Sequence, residues 1–68
     1  MATGIGLRIM ERRKELGLSQ QQLAERMGLK SKSTICKIEK GEDNLTAPTI
    51  MRYAKALETT PELITGWQ

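Results

Sequence analysis

The sequence predicts an all-α domain of five short helices. Three observations support this. Strong helix formers (Leu, Ala, Met, Glu, Gln, Lys, Arg) dominate the 68 residues, and strand formers are sparse. Apolar residues recur three and four apart along successive segments. Gly17, Gly28, Gly41 and Gly66 each stand just past such a segment, where helices commonly end. With no Phe, one Trp and one Tyr, the core must be aliphatic. A domain this small removes only about 60% of its unfolded surface from water, so marginal stability is expected.

Residues 1–4 read as a flexible N-terminus and residues 5–68 as the folded domain. The first helix runs from about Gly6 to Leu16, with Ile5, Ile9 and Leu16 inward and charged residues on its other faces. Ser19 offers an N-cap for a second helix, Gln20 to Met27, and Gln22 completes a capping box. Leu23, Ala24 and Met27 form its inward stripe. Ser31 or Ser33 caps a third helix reaching about Lys40, with Ile35 and Ile38 as its buried pair. A polar loop, Glu42 to Leu45, leads to Thr46, the cap of a fourth helix with Pro48 in its first turn. Ile50, Tyr53, Ala54 and Leu57 give that helix its core face. Thr60-Pro61-Glu62 starts a fifth helix ending near Thr65, with Leu63 and Ile64 as its apolar content.

Eleven basic residues against eight acidic ones give a modest +3, but the charge is polarised. Lys30, Lys32, Lys37 and Lys40 cluster against Glu39 alone, whereas residues 58–68 carry Glu58 and Glu62 and no base. A surface facing phosphates requires such one-sidedness. The single cysteine, Cys36, rules out a disulfide within the chain and fits a reducing compartment. No apolar run approaches the roughly 20 residues that span a bilayer, and no signal-peptide stretch opens the chain, so a cytoplasmic location and no membrane partner are expected. Catalysis finds no support: there is no His, no nucleophile with an identifiable base, and no metal-ligand spacing. Neither an enzyme nor a cofactor is expected.

Two short helices joined at Gly28 form the unit of a helix-turn-helix, spanning residues 19–40. The second helix of that unit enters a major groove about 12 Å wide. It must be polar and small-sided at its leading end, as Ser31, Lys32, Ser33 and Thr34 are, and apolar behind, as Ile35 and Ile38 are.

Gly17-Leu18-Ser19-Gln20, Leu23-Ala24, Gly28, Ile35 and Lys37-Ile38-Glu39-Lys40-Gly41 together resemble the phage repressor/Cro-like (XRE) helix-turn-helix family. Tyr53-Ala54-Lys55-Ala56-Leu57, Thr60-Pro61-Glu62-Leu63-Ile64 and Gly66-Trp67 extend the likeness. It is especially similar to the N-terminal domains of phage-type repressors of Gram-positive bacteria. The resemblance implies a five-helix lambda-repressor-like fold and a transcriptional regulator, in the first instance a repressor, that binds a double-stranded operator as a homodimer. It implies that Gln20 holds a phosphate by side chain and backbone N–H, with Gln21 beside it. Lys32 and Ser33 would face base edges, Thr34 a thymine methyl, and Lys37 a base or phosphate. Lys40, Asn44 and Thr46 would meet the backbone. Arg13 and Glu39 would pair and lock the first helix to the reading helix. The turn Gly28-Leu29-Lys30-Ser31 is one residue longer than the commonest family pattern, which shifts the register of residues 31–33 by up to one position.

Other readings of the same residues stand beside these. The lysines also suit a solvated helix face, and the glutamines an ordinary helix start. An antitoxin or restriction-control regulator would use the same fold, and so would a helical protein-interaction module without DNA binding. Cys36 and the four methionines read as packing residues.

Overall fold

The computed structural model describes residues 4–41 and 45–66. Five helices follow one another: α1 (Gly4–Glu15), α2 (Gln20–Arg26), α3 (Ser33–Glu39), α4 (Ala47–Ala56) and α5 (Pro61–Thr65). Among the described residues there is no strand. Helix α1 starts at Gly4, a residue expected in the loose N-terminus.

Local chemistry explains most boundaries. Ser19 Oγ accepts from the Gln22 N–H at 3.0 Å while Gln22 Oε1 accepts from the Ser19 N–H at 2.7 Å, the reciprocal box expected for α2. Thr46 and Thr60 cap α4 and α5, each followed by a first-turn proline. Gly17 and Gly28 flank α2 at φ 70° and 73°, a backbone state that a β-carbon disfavours. The start of α3 departs from expectation. Lys32 occupies the N-cap position in a helical conformation and gives no side-chain cap. Ser31 Oγ instead accepts from the Ser33 N–H at 3.3 Å within the turn, and Ser33 is already helical. Neither serine therefore caps α3.

Ile9, Leu23, Ala24, Ile35, Ile38, Tyr53, Ala54, Leu57 and Ile64 form one buried cluster, with Ile5, Leu16 and Met27 half-buried against it. Each fully buried aliphatic side chain contributes about 1.5–3 kcal/mol relative to exposure. Leu63, expected among the apolar content of α5, is 66% exposed. A five-residue helix presents one narrow face to the core, and Ile64 takes it.

Helix α1 packs on α3 at Gly6. A β-carbon there would overlap the Ile38 carbonyl oxygen and crowd that of Glu39 at 3.2 Å. Only glycine lets the two backbones approach this closely.

Long-range arginines close the helix ends. Arg12 donates from Nε to the Leu57 carbonyl (3.0 Å) and from Nη2 to that of Glu58 (3.1 Å). Arg26 donates to the Ala56 carbonyl (3.1 Å) and pairs with Glu58 (3.0 Å). Arg52 donates to the Met27 carbonyl at the end of α2 (3.1 Å). These are the acceptors that a helix C-terminus leaves without an internal partner.

Candidate nucleic-acid interface

Helix α3 is two-sided. Ile35, Ile38 and Glu39 are buried, while Ser33, Thr34, Lys37 and the following Lys40 are exposed. At about 100° per residue, the exposed set covers an arc of roughly 120° with Lys37 at its middle. Ser31 and Lys32 precede it, exposed, and Lys30 lies exposed in the turn. Six of the residues named from the sequence (Ser31, Lys32, Ser33, Thr34, Lys37, Lys40) thus fall on α3 and its two flanks, all open to solvent.

Helix α2 packs on α3, their apolar faces sharing the core cluster of Leu23, Ala24, Ile35 and Ile38. Its first turn holds Gln20, half-buried, and Gln21, exposed. The capping box occupies the N–H groups of Ser19 and Gln22. Those of Gln20 and Gln21 have no acceptor among the described residues and remain available to an outside one.

Between α1 and α3 lies the expected ion pair. Arg13 Nε donates to Glu39 Oε2 at 2.7 Å and Arg13 Nη2 to Glu39 Oε1 at 3.1 Å, with side chains 10% and 5% exposed. The two-point geometry and burial set it apart from a surface pair. Arg13 Nη1 also donates to the Leu18 carbonyl at 2.8 Å and so fixes the α1–α2 turn. With Glu39 matched inside, the outward lysines of α3 face no acid on their own helix.

One contact went unforeseen: Gln20 Nε2 donates to Glu39 Oε1 at 3.0 Å. The side chain expected to reach outward is partly turned inward. Nineteen residues separate the two, and no helical period links them. Thr46 is exposed, but its hydroxyl accepts from the Thr49 N–H (3.4 Å) and bonds to Thr49 Oγ1 (2.9 Å), so its established work is capping α4. Asn44 and Trp67 lie outside the described residues. Cys36 is a half-buried free thiol on the flank of the exposed arc. No group of three or more potential metal ligands occurs among the described residues. No helix there is long and apolar enough to cross a membrane.

A helix pair with a buried rear, a polar outward second helix and a fixed first turn defines a helix-turn-helix domain. Residues 9–64 match the helix-turn-helix family HTH_3, and the chain belongs to that family, of XRE type. It is 47% identical over 49 residues to an HTH-type transcriptional regulator of Methanothermobacter thermautotrophicus, itself uncharacterised, covering 72% of this chain and 70% of that protein. Among solved structures it resembles the restriction-modification controller protein C.AhdI from Aeromonas hydrophila (TM-score 0.83, 33% identity, 93% of this chain and 94% of that one). An HTH_3 family transcriptional regulator from Vibrio cholerae matches at TM-score 0.84 and 29% identity, over 96% of this chain and 36% of that one. Family and relatives together mark a DNA-binding regulator.

Proposed function

We propose that the chain is an operator-specific transcriptional repressor that lays α3 in the major groove and binds as a homodimer. The observation that carries this reading is the outward arc of α3: Ser33, Thr34, Lys37 and Lys40 exposed over a buried apolar rear, with Glu39 neutralised by Arg13. Lys30, Lys40 and the first turn of α2 supply phosphate contacts, which set affinity and its salt dependence. Lys32, Ser33, Thr34 and Lys37 supply base contacts. Lysine donates to guanine O6 or N7, serine serves several bases, and the threonine methyl suits thymine.

The size of the domain supports two-fold pairing. Half-sites one turn apart lie about 34 Å from centre to centre. The domain measures 31 × 23 × 21 Å, so two copies on one face of a duplex come close enough to touch.

Selection from a random duplex library tests the reading directly. The expected product is a two-fold site with half-sites one helical turn apart. Lys37→Ala and Lys32→Ala should change the selected bases, by about 1–3 kcal/mol where a two-point contact is lost. Lys40→Ala should weaken all sequences alike and lower the salt slope by about one. Binding that is indifferent to the Lys32→Ala, Lys37→Ala double variant and to salt would leave a helical protein-interaction module instead.

One observation favours a second, narrower reading. The likeness to the controller protein covers nearly the whole of both chains. Control of a restriction-modification operon is therefore the specific alternative, and a methyltransferase gene beside this one decides for it.

A further inference from the structure

We infer that Glu39 is a positioning residue for DNA binding that acts through Gln20, beyond its part in the ion pair. The inference rests on the proposed reading of α2 and α3 as the DNA-facing pair. Glu39 Oε1 accepts two donors, Arg13 Nη2 at 3.1 Å and Gln20 Nε2 at 3.0 Å. Arg13 holds the carboxylate from the other side, through Nε on Oε2 at 2.7 Å. The carboxylate is thus held through both oxygens, and it accepts the Gln20 amide from within.

A primary amide has two N–H groups. One is spent on Glu39, and the other is left for an outside acceptor. Gln20 is half-buried and opens α2, and Glu39 closes α3 two residues after Lys37. A single carboxylate therefore ties the phosphate-side residue of α2 to the helix that carries the base-reading lysine. Phosphate and groove floor stand at a fixed separation in a duplex, so contacts to both need their protein donors held in register. A free glutamine side chain would have to be ordered on binding, at a cost in affinity that this tether removes beforehand.

A double-mutant cycle in DNA affinity tests this. The probe is the duplex recovered by library selection, or a 30-base-pair random-sequence duplex in low salt. The variants are Glu39→Asp, Gln20→Ala and the pair. Aspartate keeps the charge beside Arg13 and withdraws the acceptor from Gln20. Gln20→Ala leaves the Arg13–Glu39 pair whole. Cooperative melting is verified for each; if Glu39→Asp is unfolded, the pair Arg13→Met, Glu39→Leu takes its place, since it withdraws the acceptor from Gln20 and strands no charge.

The expected result is a five- to tenfold affinity loss for Glu39→Asp in the wild-type background and none in the Gln20→Ala background. Equal losses in both backgrounds, or no loss in either, overturn the inference and leave the DNA-binding reading standing. A wild-type chain that binds no duplex overturns both. A purely structural role for Glu39 would weaken binding equally whether or not Gln20 is present.

Discussion

Glu39→Ala should melt about 15–30 °C below the unsubstituted chain, or fail to fold, when followed by circular dichroism. The substitution strands the Arg13 guanidinium, 10% exposed, with only the Leu18 carbonyl as partner, and frees Gln20. Breaking a buried pair by removing one member costs about 3–5 kcal/mol, chiefly as the desolvation of the charge left behind. A 68-residue domain has a total of roughly 3–10 kcal/mol, so the loss is comparable to the whole. The control is the double variant Arg13→Met, Glu39→Leu. Two apolar residues of similar volume bury no charge and should recover most of the melting temperature. Recovery would assign the damage to the unpaired cation. Failure of the double variant would assign it to the hydrogen bonds that tie Leu18 and Gln20.

The second large effect is expected at Gly6. In an exposed helix interior, Gly→Ala stabilises by about 1 kcal/mol. Here the new methyl would meet the carbonyl oxygens of Ile38 and Glu39, which are backbone atoms at the end of α3 and cannot swing aside. Helix α1 must lift from α3, and Arg13, about two turns along on the same face of α1, is carried away from Glu39. Overpacking of this kind costs about 3 kcal/mol. Thermal or urea denaturation of Gly6→Ala should therefore show a net loss, whereas Gly4→Ala, whose added carbon would come no nearer than 4.0 Å to Arg8 Nε, should be neutral or slightly favourable. A Gly6→Ala chain as stable as its parent would contradict the close approach of these helices.

Most of this architecture was legible in the sequence because short-range chemistry sets it. The Ser19–Gln22 box, the Thr46-x-Pro48 and Thr60-Pro61 starts and the stop at Gly28 involve residues within a few positions of one another. The inward Ile9, Leu23, Ile35, Ile38 and Leu57 obey the helical period, and so do the outward Thr34 and Lys37. The family likeness added the Arg13–Glu39 pair, which no local rule supplies. What escaped was of two kinds. The start of α3 misled because Ser31 and Ser33 both fit a cap, and the turn used Ser31 in a bond to the N–H two residues on instead. The inward amide of Gln20 and the arginine–carbonyl bonds of Arg12, Arg26 and Arg52 link residues 19 to 46 positions apart, where periodicity is silent.

Those arginine bonds divide the cations by residue type. Arg13 serves Glu39, and Arg12, Arg26 and Arg52 serve carbonyls, so four of the five arginines are tied to the scaffold. All six lysines (Lys14, Lys30, Lys32, Lys37, Lys40, Lys55) are exposed. Guanidinium forks suit fixed acceptors, and ammonium groups are hydrated point charges on supple stems. Acylation reacts with the second kind alone and removes its charge. With every lysine capped, five arginines against eight acids leave a net −3 where the native chain has +3. The polarity of the surface is thus reversible by amine chemistry that the internal framework does not feel.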